Sequence, residues 1–189
     1  MFEFVGVLSG LIYIVGDIPY IKDVIKGRTK PQRISWALFF GLNVINLANQ
    51  IALNAHSSLW LIYSWTLVTF IIFALSIKKG VGGKSRIDII CVSGAILGLI
   101  LWALLKTPLA SLYCNLLVGI IAFIPTIKKA YVSPGTETKI SWLTATIAAV
   151  LSTISVGRGD STLLLIPVCS AILSGTIFTI LVVRGHKRA

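Results

Sequence analysis

The chain has 189 residues, 56% hydrophobic and only 12% charged, about half the charged share of roughly 25% usual in soluble domains. So little polar surface cannot cover a water-facing exterior, which excludes a soluble globular fold. The formal net charge of +11 does not indicate a nucleic-acid partner, because the basic residues collect in short segments between apolar runs.

Seven apolar runs follow one another, at approximately 4–21, 34–54, 58–77, 87–105, 108–127, 140–157 and 162–183. Each approaches the roughly 20 residues that a helix needs to cross a bilayer. Lipid offers no hydrogen-bond partners, so a crossing segment is a helix or part of a closed barrel. The alternation of polar and apolar residues that marks a barrel is absent. The first run lacks a basic leader and a small-residue cleavage site and carries Asp17. It therefore reads as the first helix of the mature protein rather than a signal peptide.

Fifteen of the 17 basic residues fall in the segments after runs 1, 3 and 5 and in the tail, against Lys106 and Arg158 on the other side. By the positive-inside rule the N-terminus is expected outside and the C-terminus in the cytoplasm of a multi-pass cell-membrane protein. Anionic membrane lipids are expected partners of this charge. A homo-oligomer stays open.

The chain repeats itself. Ile18-Pro19-Tyr20-Ile21-Lys22 returns as Ile124-Pro125-Thr126-Ile127-Lys128, and Ile34-Ser35-Trp36 as Ile140-Ser141-Trp142, both at an offset of 106. The same offset aligns Ser64 with Ser170 and Lys78 with Arg184. A three-helix unit ends on the membrane face opposite to its start, so two copies in the same orientation need a linker helix between them. The expected fold class is an all-α membrane protein of seven transmembrane helices, two parallel three-helix bundles joined by a linker helix (3+1+3). The first repeat covers 1–80, the linker helix 81–107, and the second repeat with its tail 108–189. Gly94 and Gly98 in the linker have the spacing that allows close helix packing.

Candidate functional residues lie within the runs. Asp17 is an intramembrane acid, a functional candidate by default; it reads either as a gating or proton-coupling group or as a surface ion pair with Lys22. Pro19 and Pro125 occupy equivalent places and read as symmetric gating hinges or as simple helix ends. Trp36 and Trp142 read as interfacial anchors, with Ser35 and Ser141 as N-caps before them. Asn43, Asn46, Asn49 and Gln50 spread over an arc of roughly 120° on one helix, too many amides to face lipid. They line a cavity or bind neighbouring helices. Ser152 and Ser155 answer them in the second copy, and Ser64 and Ser170 would complete two walls. Asn115 is a lone amide with no evident partner. Cys91, Cys114 and Cys169 have no disulfide or metal-ligand spacing and read as packing residues. Acids, histidines and cysteines are too sparse for a hydrolytic or metal site, so neither an enzyme nor a cofactor is expected.

With this topology, the segments from Ile18-Pro19 to Trp36 and from Ile124-Pro125 to Trp142 resemble those of the SWEET and semi-SWEET sugar transporters and their PQ-loop relatives. The chain departs from them at the family's Pro-Gln position, where it has Pro19-Tyr20 and Pro125-Thr126; the literal Pro31-Gln32 lies in a loop. The family's second-helix tryptophan falls at Asn49 and Ser155, and its third-helix asparagine at Ser64 and Ser170. The resemblance implies a solute held between the two bundles and moved by alternating access. The reading is a secondary transporter of a small polar solute, with sugar the leading class. An amino acid or vitamin-like solute, with or without proton coupling, and a non-transporting receptor of the same fold are the alternatives.

Overall fold

In a computed structural model describing residues 2–52, 59–105, 108–156 and 164–185, seven α-helices follow in order. They are α1 (Phe2–Ile25), α2 (Arg33–Ala52), α3 (Leu59–Lys79), α4 (Arg86–Leu105), α5 (Pro108–Val132), α6 (Lys139–Val156) and α7 (Leu165–Gly185). Five of them, α1, α3, α5, α6 and α7, are long and apolar enough to cross a membrane; in α2 the apolar stretch is the shorter Arg33–Ala48. Phe4, Ile90 and Leu104 are among many large apolar side chains left exposed, while Ser9, Ser35, Ser76 and Thr126 are buried. Large apolar side chains outside and several polar ones within fit a membrane-embedded helical protein, since lipid tails are as apolar as the side chains themselves.

The helices start and stop on local signals. Ser85 and Asp88 form a reciprocal cap at the start of α4: the Asp88 amide donates to Ser85 Oγ at 3.1 Å and the Ser85 amide to Asp88 Oδ2 at 3.1 Å, satisfying amides that the helix itself cannot. Lys78 and Lys79 close α3, where cations suit the helix dipole. Pro19 and Pro125 end nothing; both lie inside their helices, α1 and α5, where each removes one backbone hydrogen bond. Ser35 and Ser141 are not N-caps either. Both lie inside their helices, and the Ser141 hydroxyl donates to the Gly16 carbonyl of α1 at 2.8 Å.

Packing follows a definite order. α3 lies against both α1 and α2, and α7 against both α5 and α6; α1 lies against α6, α2 against α5, and α4 mainly along α5. α1 and α6 pack closely at Gly16. A Cβ added at Gly16 would sit 2.0 Å from Thr144 Oγ1, so only glycine fits. Gly98 of α4 likewise lies under Val118 of α5, with 2.5 Å between its would-be Cβ and Val118 Cγ2.

Three connecting segments meet at one end of the bundle, hereafter the basic end. Val81 and Pro31 share a backbone hydrogen bond of 2.9 Å, and the Lys30 amide donates to the Thr136 carbonyl at 3.1 Å. Gln32 Nε2 donates to Asp88 Oδ1 at 2.7 Å, which ties the α1–α2 connection to the start of α4.

Gly16→Val is expected to destabilise the purified protein by about 1–3 kcal/mol through overpacking, read as a lowered thermal midpoint in detergent. Gly41→Ala, where an added Cβ meets nothing within 4 Å, should leave the midpoint unchanged or higher.

Candidate functional site

A cavity of about 110 Å³ lies among α1, α2, α3, α5, α6 and α7; among the described residues α4 contributes nothing to its wall. Its polar side is built by α2 and α5. Asn43 and Asn46 of α2 and Asn115 of α5 face it, and Asn115 Nδ2 donates a short hydrogen bond to Asn46 Oδ1. Asn43 Nδ2 reaches Thr69 Oγ1 of α3 at 3.4 Å. Ser170 of α7 and Tyr13 of α1 are also on the wall.

Toward the basic end the cavity is floored by aromatic rings from two different parts of the chain. Trp36 and Trp142 stand with ring centroids 6.4 Å apart, and Phe39 and Phe123 at 4.7 Å. Trp36 is 3% and Trp142 6% exposed, so neither anchors the protein at a membrane interface as their places beside basic loops suggested. Trp36 packs against Tyr20, Phe39 and Trp142, and Trp142 against Phe123 and the Glu137 carboxylate of the α5–α6 connection. A buried indole N–H needs an acceptor, and both have one: Trp36 Nε1 donates to the Tyr20 hydroxyl at 3.2 Å and Trp142 Nε1 to Glu137 Oε2 at 3.0 Å.

Beneath this layer lies a polar one. Lys129 Nζ donates to Glu137 Oε1, to the Lys30 carbonyl and, at 3.3 Å, to the Thr136 carbonyl. All three ammonium protons are thereby engaged. The Glu137 side chain is fully buried and that of Lys129 nearly so; a buried ion pair persists only when its remaining hydrogen-bonding capacity is met in this way. Next to it, Thr29 Oγ1 and Thr138 Oγ1 are hydrogen-bonded at 2.6 Å, and Thr138 Oγ1 donates to Asp23 Oδ2 at 3.0 Å.

The sequence candidates divide accordingly. Asn43, Asn46 and Ser170 share the cavity wall. Ser64 is elsewhere, against Gly10 where α3 meets α1, its hydroxyl donating to the Trp60 carbonyl at 2.9 Å. Ser152 and Ser155 are buried off the wall, with Ser155 Oγ donating to the Ser152 carbonyl at 2.8 Å. The side chains of Asn49 and Gln50 lie outside the described residues. Asp17 is buried at 4% exposure, with the hydroxyls of Tyr13 and Ser141 against its carboxyl. It does not pair with the exposed Lys22; among the described residues the one ion pair is Lys129–Glu137. Pro19 and Pro125 each lie roughly two helical turns before the ends of α1 and α5.

Sequence reasoning missed three parts of this site: the role of Asn115, the aromatic floor and the Lys129–Glu137 pair. The matching tryptophans of the repeat were the one available signal, because residues equivalent under a twofold axis can meet on it. Comparison of the chain with protein-family models, curated proteins and solved structures finds no match.

Lys129→Met leaves Glu137 buried without a counter-charge and is expected to cost about 3–5 kcal/mol. Adding Glu137→Gln removes the stranded charge while retaining an acceptor for Trp142. The double variant should therefore melt higher than the single one in the same thermal assay.

Proposed function

We propose that the protein is a secondary transporter that moves a small uncharged solute across the membrane by alternating access, on the pattern of the SWEET and PQ-loop transporters. The observation that carries the reading is the cavity itself. It lies between the unit α1–α3 and the unit α5–α7, with α4 as the linker, and is closed toward the basic end by contacts made between those units. Two helix contacts of each unit, α1 with α3 and α2 with α3, recur as α5 with α7 and α6 with α7, which supports the reading of a duplicated three-helix scaffold.

By the distribution of basic residues the closed end is the cytoplasmic one. Opening it requires Trp36 to part from Trp142 and Thr29 from Thr138. Pro19 and Pro125 stand just above that layer, where a missing backbone hydrogen bond lets the helix end swing. Asp17 lies beside Tyr13 of the cavity wall and Ser141 of α6, and the gating role assigned to it here is to couple the cavity to the α1–α6 contact. A monosaccharide remains the solute class that the family resemblance implies.

Two measurements in liposomes test the proposal. With Cys91, Cys114 and Cys169 replaced by alanine, Thr29→Cys and Thr138→Cys should form a disulfide on oxidation, since their hydroxyl oxygens are 2.6 Å apart. Solute flux should then stop and return with reductant; flux that continues through the cross-linked protein refutes opening at this end. Gly119→Val should also abolish flux while leaving the thermal midpoint near that of the parent, because Gly119 lines the cavity and a Cβ there meets nothing within 4 Å. If no solute crosses but a peptide binds, the protein is a receptor of this architecture.

A further inference from the structure

The chemistry of the wall narrows the solute class. Among the described residues no Asp, Glu, Lys, Arg or His lines the cavity. A charged solute would be desolvated there without a counter-charge, which is costly. Two of the wall hydroxyls are turned back on their own helices: Thr69 Oγ1 donates to the Trp65 carbonyl at 2.6 Å and Ser174 Oγ to the Ser170 carbonyl at 2.6 Å. Recognition by hydrogen bonds therefore falls mainly to the carboxamides.

The Asn46–Asn115 contact gives those carboxamides a definite complement. Its hydrogen bond uses one amide proton of Asn115 and the oxygen of Asn46. Outside that bond remain the Asn46 amide protons and the Asn115 oxygen, a donor beside an acceptor. Turning both amides over exchanges the two residues and leaves the same complement. The partner that satisfies both at once is an edge with a C=O next to an N–H. Much of the remaining wall is aromatic, with Trp36, Phe39, Trp65, Phe123 and Trp142 all facing the cavity. A flat apolar ring suits it, whereas a ring bearing hydroxyls on every side would leave several without partners. The volume of about 110 Å³ is of the same order as the roughly 150 Å³ of a closed protein cavity that admits benzene, which rules out solutes larger than a single ring.

We infer that the solute is a neutral single-ring molecule whose amide-like edge is read by the Asn46–Asn115 pair and whose faces lie against the aromatic wall. The inference rests on the reading of the cavity as the transported solute's site.

The test uses the purified full-length protein. Binding is followed through the fluorescence of the cavity tryptophans and flux through counterflow in liposomes. The probes are benzamide, its isosteres benzoate and benzamidine, methyl glucoside and glycine. Benzamide should bind and exchange, with the two charged isosteres weaker by about tenfold or more. Asn46→Leu with Asn115→Leu replaces both partners by apolar groups of similar shape, a change that folding tolerates. It should weaken benzamide binding about tenfold or more while binding of toluene is retained. Should that double variant fail to fold, Asn115→Asp alone should shift preference from benzamide toward benzamidine. Equal binding of benzoate and benzamide, or benzamide binding untouched by the double variant or by Asn115→Asp, overturns the inference. Methyl glucoside or glycine exchanging while benzamide does not also overturns it, yet leaves transport standing. Absence of binding and exchange for all five probes overturns the inference, and transport itself falls only if the Thr29–Thr138 cross-link and Gly119→Val also leave every solute flux unaltered.

Discussion

The packing of α6 side chains directly onto the α1 backbone at Gly16 sets where everything else can go. With no side chain at Gly16, Thr144 packs into the vacant volume and Ser141 reaches the Gly16 carbonyl. The polar side of the cavity lies toward α2 and α5, where the three asparagines gather. Position 9 of α1 corresponds to 115 (9 + 106), and position 46 of α2 to 152 (46 + 106), under the offset of the repeat. Ser9 and Ser152 are buried at 0% and 4% exposure, whereas Asn46 and Asn115 border open volume. The same pair of places is filled by serines on one side of the molecule and by amides on the other.

Helices in lipid gain little from burying apolar surface against one another, so close packing and polar contacts must supply the specificity. The basic end shows how. Glu137 collects the ammonium of Lys129 and the indole of Trp142, and Tyr20 takes the indole of Trp36 while its hydroxyl faces Glu137. The aromatic floor and the polar layer beneath it are thus one connected structure, and a change in either is felt by the other.

Much of this architecture was legible in the residues. The seven helices fall close to the apolar runs, and the side chains of Asn43 and Asn46 do turn inward rather than toward lipid. What could not be read were neighbours distant in the chain. Asn115 looked solitary because its partner Asn46 is 69 residues away. Trp36 and Trp142 stand next to basic loops, and only their neighbours from other helices separate a buried tryptophan from one at a lipid interface. Lys22 is five residues from Asp17 yet points away from it, whereas Ser141, more than a hundred residues on, packs against it. Local spacing predicts helix faces well; it carries no information about which face meets which.

The unequal sides of the molecule have an evolutionary consequence under the proposed duplication. Two identical three-helix proteins associating about a twofold axis would be bound to present the same residues on both flanks, so that any mutation enlarging one would enlarge the other. Joining them in one polypeptide lifts that restriction. One flank is then free to accumulate small residues and become a fulcrum while the other acquires the groups that choose a cargo, without either change being copied across the axis. Trp36 against Trp142 would be the surviving trace of the symmetric ancestor, kept where the axis passes and where both halves still need the same residue.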